Sequence, residues 1–461
     1  MTVANQGQSP GVGSTTVGVP NGGPTGVPTS GATNPGGNPT LGGPGPGPGQ
    51  TTGPGGTTTP GAGGTTTAAA PPGGANGGVT PGSCVGFKNS TGIDNSSITI
   101  ANVADLSGPV PGLFKSAQAA VTAYVAYFNA TSSVCGRKLK VVGLDSGTNE
   151  SADQQADTTS CGSAFAEVGS LGAFDAGGAA TVQQCGIPDL RTLSTEPARV
   201  QSSVSYGVYS TIVNEIVRTP FDYFKTFSGE PYKNAAYVYL NAGAAIIQAK
   251  SFQAGEKMLG YNFRDVIAID VTAVPNYDGI VTQLQHDNIK YVQYIGAYQY
   301  ASRLKSAMYG AGYNPIFVMD PTAYDAGYVA GGKPVWGTYS FVPGPLFEEA
   351  GRNPQLQTYL TWLQRTSGGA PTFFGVYAWC AAALFAKLAV ELGGKLSRST
   401  LLTAIRATHN YTNNGMVPSQ DPGGKHTTHC SSVVQLVGGA WVRKTPFPFS
   451  CAATVNTGVG T

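Results

Sequence analysis

The sequence predicts an α/β protein of two doubly wound, parallel-sheet lobes joined by a three-strand hinge and preceded by a disordered Gly/Pro/Thr-rich tether. Three observations predict it. Residues 1–83 carry no Lys, Arg, Asp, Glu or aromatic side chain, so they cannot bury enough apolar surface to offset their conformational entropy. From Ser97 onward, short β-branched runs alternate with helical periods, the pattern of parallel strands linked by crossover helices. That alternation passes through two consecutive series, each long enough for a lobe with its own core.

The first series opens with a strand at Ser97–Val103. The helix Lys115–Ala130 follows, with Ala117, Ala120, Val121, Tyr124, Val125 and Phe128 on one face. A strand at Lys138–Leu144, a helix at Ala152–Glu167 and a strand at Ser170–Phe174 come next, then a helix at Gly178–Cys185 and a strand at Asp189–Leu193. The second series has a helix at Thr211–Thr226, a strand at Ala235–Leu240, a helix at Ala244–Leu259 and a strand at Phe263–Ile269. It continues with a helix at Tyr277–Asp287, a strand at Tyr291–Ile295, a helix at Tyr300–Tyr309 and a strand at Pro315–Met319. A strand at Val335–Phe341 then precedes helices near Pro354–Arg365, Phe374–Leu392 and Ser399–Thr408. A hairpin around Gly438-Gly439 ends the pattern. The organisation expected is a tether over 1–83, a first lobe over 84–210 and 340–430, and a second lobe over 211–339 and 431–461. The chain then crosses between lobes three times, a good construction for a hinge.

Net charge is +2 with 11% charged residues and no basic run, which gives no footprint for nucleic acid or an anionic membrane. No run of about 18 apolar residues is found, and Met1–Gln6 lacks the basic and apolar regions of a secretory signal. The seven cysteines contain no CxxC pair, against a structural zinc or thioredoxin-like centre. Cys430 and Cys451 bracket the hairpin, Cys161 and Cys185 lie on neighbouring helices, and Cys84 and Cys135 each precede a strand. Three local disulfides are expected, with Cys380 a buried free thiol, although six cysteines allow other connectivities. Disulfides imply an extracytoplasmic compartment. As a flexible coil the tether would span roughly 50 Å, enough to hold a domain away from a membrane or through a cell wall.

Several stretches occur together in a characteristic order. Asp105-Leu106-Ser107-Gly108-Pro109 follows the first strand. Tyr127-Phe128-Asn129-Ala130 leads into Cys135-Gly136-Arg137-Lys138, with Leu144-Asp145-Ser146 and Gly172-Ala173-Phe174-Asp175-Ala176-Gly177 further on. Tyr277-Asp278-Gly279-Ile280-Val281 and Gly310-Ala311-Gly312-Tyr313-Asn314-Pro315 lie in the second series. Across Ser97–Val442 the chain resembles the type I periplasmic binding proteins, specifically the branched-chain amino-acid and amide binders that feed ABC importers. The resemblance implies a monomeric, extracytoplasmic solute-binding protein at the periplasm or cell surface, with a lipid anchor compatible with the tether. It would capture a small polar or amphipathic solute (amino-acid-like, amide or small carboxylate) and deliver it to the membrane subunits of an importer. No enzyme activity, cofactor, metal or nucleic acid is expected. The alternatives are a ligand-sensing receptor ectodomain, or a surface adhesion or assembly protein reusing the fold.

In such folds ligands sit beyond the carboxyl ends of the strands. The loops there supply the candidates Ser107, Gly108, Asp175, Ala176, Gly177, Ser194 and Thr195 from the first lobe, and Asn241, Tyr298, Asp320 and Thr322 from the second. The resemblance places Ala176 and Thr195 where a Ser and a Thr hold the ligand carboxylate in amino-acid binders; the Ser is lost here, and only backbone N–H groups remain. Near Thr322 it places a Glu that pairs with the ligand ammonium. Here the stretch is Met319-Asp320-Pro321-Thr322, so that carboxylate is absent or moved to Asp320 or Asp325. A buried ammonium without such a partner is costly, which puts a standard α-amino acid in doubt. Of the four histidines, His426 and His429 beside Cys430 have metal-ligand chemistry, but Cys430 is better used in the hairpin disulfide. GxSxG, Walker and HExxH patterns are absent.

Overall fold

The computed structural model describes residues 79–460. The first lobe is built on β1 (Ser97–Ala104), whose residues are buried almost throughout. Its chain then forms α1 (Lys115–Thr131), β2 (Lys138–Asp145), α2 (Glu150–Ser163), β3 (Ala166–Val168) and α3 (Ala179–Cys185), followed by β4 (Asp189–Arg191), α4 (Pro197–Gln201) and β5 (Ser205–Gly207). These strands form one sheet in the order β2-β1-β3-β4-β5, every neighbour parallel. The order reverses at β1, so the loops after β1 and β3 diverge and leave a crevice between them. The apolar face of α1 is buried as its periodicity predicts.

The second lobe contains α5 (Thr219–Lys225), β7 (Ala235–Leu240), α6 (Gly243–Met258), β8 (Phe263–Ile269) and α7 (Tyr277–His286). It continues through β9 (Tyr291–Ile295), α8 (Tyr298–Gly310), β10 (Ile316–Met319), α9 (Ala326–Val329) and β11 (Tyr339–Val342), preceded by β6 (Glu215–Ile216) in the first crossing. The chain then returns to the first lobe as α10 (Pro354–Ser367), α11 (Phe373–Leu392) and α12 (Arg398–Arg406). It ends with β12 (Cys430–Val437), β13 (Ala440–Arg443), β14 (Ser450–Cys451) and β15 (Val455–Asn456). The second sheet runs β13-β12-β11-β10-β9-β7-β8, parallel from β8 to β11 and antiparallel at β12 and β13. By length and composition α11 could cross a membrane, yet its side chains, Trp379 among them, are buried in the first lobe.

Four sequence expectations need correction. The helix placed over Ala152–Glu167 ends at Ser163, and the following strand is Ala166–Val168 rather than Ser170–Phe174. The apolar run Ala164–Ala166 enters the core extended, and 169–178 is left as loop. The helix expected over Thr211–Thr226 begins only at Thr219, with Pro220 in its first turn, where a missing N–H costs nothing. Residues before it form a crossing, in which Ile216 pairs with Val455 of β15. The strand expected from Val335 starts at Tyr339, because Gly337 turns the chain at φ +82°. Finally, residues 79–83 are not free tether: the Gly82 N–H donates to the Val390 carbonyl at the end of α11. The remainder of the tether, 1–78, lies outside the described residues.

Disulfides join Cys84 to Cys135, Cys161 to Cys185 and Cys430 to Cys451, and Cys380 is a buried free thiol.

Candidate functional site

The loops at the carboxyl ends of both sheets face one another across a cavity of about 170 Å³ that opens to solvent. Its first-lobe wall comes from the loop after β1 (Pro109, Val110, Leu113, Phe114), from Ala173 and Phe174 after β3, from Leu193 and Thr195 after β4, and from Phe373 and Phe374 at the start of α11. Phe114 meets Phe374 edge-on at 5.3 Å between centroids, and Phe373 packs the same way on Tyr209 at 5.2 Å. The second-lobe wall comes from Leu240, Ala244, Ala245, Gln248, Phe252, Val271, Ile295, Gly296, Ala297, Asp320, Thr322 and Phe341. The lobes touch directly beside it, where the Ala244 N–H at the start of α6 donates to the Ala173 carbonyl at 2.8 Å. No Lys, Arg or His lines this cavity among the described residues.

Asp320 is the one carboxylate in the lining. It is engaged by the protein: the Gly296 N–H donates to it at 3.2 Å and the Thr322 N–H at 3.0 Å, and the Thr322 hydroxyl lies against Oδ1. Burial pushes its pKa up to about 6, against the pull of those donors. The hydroxyl of Thr195 donates to the Gly172 carbonyl and that of Thr148 to the Ser107 carbonyl. The Tyr209 hydroxyl, the Gln248 amide and the Thr211 hydroxyl line the cavity and make no hydrogen bond within the protein.

Of the residues proposed from sequence, Thr195, Asp320 and Thr322 line the cavity. Ser194 is set behind Thr195, lining a small adjoining crevice. Ser107 is turned to Asp145, whose Oδ1 accepts its N–H, and Gly108 packs on the Gly147 carbonyl; the two residues after them carry the wall instead. Asp175 is fully buried and holds the Thr195 and Glu196 N–H groups at 2.9 and 3.0 Å. The Ala176 N–H is taken by the Glu196 carboxylate at 3.0 Å. A Cβ on Gly177 would run into the backbone of Glu150, so its small size serves packing against α2. Asn241 is exposed. Tyr298 lies against Tyr328 and Gly327 of α9, and its neighbours Gly296 and Ala297 line the cavity in its place.

Sequence reasoning missed the aromatic wall. Phe373 and Phe374 are adjacent, so one helix face cannot bury both in the same core; that was the available signal. Tyr209 sits in a crossing segment whose course the sequence did not reveal.

The sequence matches the periplasmic binding protein family over residues 97–440. The chain belongs to that family. This periplasmic binding protein is also similar in structure to a fatty acid ABC transporter substrate-binding protein from Thermomonospora curvata. The TM-score is 0.69 at 17% identity, covering 82% of this chain and 98% of the other. An ABC transporter solute-binding protein from R. palustris in complex with benzoate gives 0.64 at 15% identity, covering 79% and 99%. The branched-chain amino acid transporter substrate binding protein of Streptococcus pneumoniae, in complex with isoleucine, gives 0.62 at 14% identity, covering 76% and 100%. At these identities the likeness is one of fold. Among curated proteins none matches significantly.

Proposed function

We propose that this periplasmic binding protein captures a small, largely apolar solute between its lobes and hands it to the membrane subunits of an ABC importer. The observation that carries the reading is the aromatic and aliphatic lining of the interlobe cavity, with its few scattered polar groups. An apolar cavity of roughly 150 Å³ takes up benzene, so about 170 Å³ suits a ring-sized molecule. Burying such a ligand yields about 25 cal/mol per Å² of apolar surface. A polar amino acid would lose its water to a wall that offers few partners. The polar solute anticipated from the family resemblance is therefore narrowed to its amphipathic end.

The three disulfides fit an extracytoplasmic site of action. The composition of residues 1–83 supports a spacer role between the binding lobes and an attachment point at the cell surface.

The test is a titration of the full-length protein with toluene and with leucine, followed by NMR of the methyl and aromatic resonances. Toluene is expected to bind and perturb the Phe114, Phe373 and Phe374 rings, with leucine at least tenfold weaker. Saturable leucine binding tighter than toluene would overturn the reading.

A further inference from the structure

The cavity's polar groups carry a second conclusion, which rests on reading the cavity as the ligand site. We infer that the cleft selects an uncharged ligand, one that presents a hydrogen-bond acceptor to the Tyr209 hydroxyl, and that it rejects carboxylates and, while Asp320 keeps its proton, ammonium ions.

The case against a carboxylate is twofold. A buried anion needs a counter-charge or converging donors, and no Lys, Arg or His lines the cavity among the described residues. Two backbone donors of the first-lobe loops are already taken by the protein's own acids. Glu196 accepts from the Ala176 N–H at 3.0 Å, and Asp175 accepts from the Thr195 N–H at 2.9 Å. The Thr195 hydroxyl is spent on the Gly172 carbonyl.

The case against an ammonium ion turns on one proton. The Thr322 hydroxyl lies 2.7 Å from the Gly296 carbonyl and also against Asp320 Oδ1. It has a single proton and two acceptors. If Asp320 were ionised, one of these contacts would bring two lone pairs together. With a proton on Asp320 Oδ1 the chain closes: the carboxyl donates to Thr322, and Thr322 donates to Gly296. The other carboxyl oxygen accepts from the Gly296 N–H at 3.2 Å. Burial raises the affinity of Asp320 for that proton. Below about pH 6 the carboxyl is thus an internal, neutral strut of the second-lobe wall and supplies no counter-charge to a cation.

What remains for the ligand is neutral. Tyr209 is held by its ring contacts with Phe373 and Tyr377 at 5.2 and 5.0 Å, and its hydroxyl is without a protein partner at the cavity. Burial pushes its pKa up, so it stays a donor throughout the neutral range. Gln248, also unpartnered, offers an amide that can both donate and accept. A ring-sized amide, ketone or lactone satisfies this set; the corresponding acid or amine does not.

Four single-ring probes separate the possibilities: toluene, benzamide, benzoate and benzylamine, each titrated into the full-length protein at pH 5, where Asp320 holds its proton, by NMR. Benzamide is expected to bind at least tenfold more tightly than benzoate or benzylamine, and more tightly than toluene. In Tyr209→Phe, which removes a hydroxyl without a protein partner, the ratio of benzamide to toluene affinity should fall about tenfold. Benzoate or benzylamine binding as well as benzamide would overturn this inference and leave the apolar reading standing. An unchanged ratio in Tyr209→Phe would overturn it too. Failure of all four probes to bind would overturn the apolar reading, and this inference with it.

Discussion

Asp153, Asp157, Glu167, Asp175 and Asp189 are packed with Arg191 and Arg199 beneath the first-lobe loops, each at most 1% exposed. Arg199 reaches Asp157 at 2.5 Å, Asp153 at 3.1 Å and Asp189 at 3.3 Å, and Arg191 lies 3.3 Å from Asp189. Five carboxylates cannot all be ionised against two guanidiniums without water. Ser160 shows where one proton resides. Its hydroxyl contacts both the Asp157 carbonyl and Glu167 Oε1, so Glu167 must donate to it. Burial pushes Glu167 well above its ordinary value and Asp157 up to about 6. An acid that keeps its proton only when folded loses stability as pH rises past the point where the unfolded chain releases it. For Asp157 that window runs from 3.8 to about 6, and Glu167, pushed well above its ordinary value by burial, acts in the same sense. Asp94 and Asp145, held below their ordinary values by hydrogen bonds, act in the opposite sense but only below that window. The melting temperature should therefore be higher at pH 5 than at pH 7.5 by calorimetry. Glu167→Gln, which keeps the donor to Ser160, should flatten that slope and stabilise the protein at pH 7.5 by on the order of 1 kcal/mol. A steeper slope in the variant would contradict the assignment. Little of this was legible in sequence: Asp153, Asp157 and Glu167 look like solvated helix residues, and only the tertiary fold brings them onto Arg199. Thr195 and Asp320 were legible because they follow strands at the carboxyl edge. Phe374 was not, since an apolar cavity wall and a core are written in the same residues.

Strands were read most accurately where an unbroken apolar or alternating run carries them, as in the half-exposed edge strand Phe263–Ile269. Ala235–Leu240 and Tyr291–Ile295 have the bounds expected from their apolar runs, and both are interior strands. The failures, at 164–174, 211–218 and 335–341, are segments whose course is set by another part of the chain; β6, for example, exists only because β15 returns to pair with it. The start of α6 is a further case. Gly243 has φ +46°, and a Cβ there would stand 2.4 Å from the Ala173 carbonyl and 3.1 Å from the Phe174 ring across the cleft. Its missing side chain lets the N-terminal turn of α6 meet the opposite lobe. Gly243→Ala should wedge the lobes apart at that contact, weakening toluene binding at least tenfold while costing the fold only about 1 kcal/mol. Titration beside thermal melting checks this, and an equal loss in both, with small-angle scattering unchanged, would remove Gly243 from the closure contact.

On the scale of the whole molecule, the two sheets are not independently cored. One continuous cluster of buried side chains runs from Ile100 and Val168 of the first lobe to Val292 and Phe317 of the second. Three crossings accompany it, and Gln420 laces them together. This buried side chain accepts from the Ser210 N–H of the first crossing at 2.9 Å. It also donates to the Tyr377 hydroxyl at 3.1 Å, which in turn donates to the Pro343 carbonyl of the second crossing. Gln420 itself belongs to the third, and the Thr428 N–H returns to the Ser210 carbonyl. A hinge of this kind transmits the position of one lobe to the other through satisfied buried hydrogen bonds, so the lobes should unfold as one unit and close as rigid bodies. Gln420→Ala orphans the Ser210 N–H and deprives Tyr377 of a donor, a loss of about 1–3 kcal/mol for buried groups. Because the cavity wall is untouched, the contacts made to a bound ring stay the same, and the change falls on the equilibrium between open and closed lobes. The expected result is a lowered but still single melting transition, with toluene affinity reduced through a larger open fraction. Small-angle scattering should show that variant more expanded than the wild type without toluene, and equally compact at saturation. Two separate transitions in the wild type would instead mean that the lobes are coupled only by the chain that joins them.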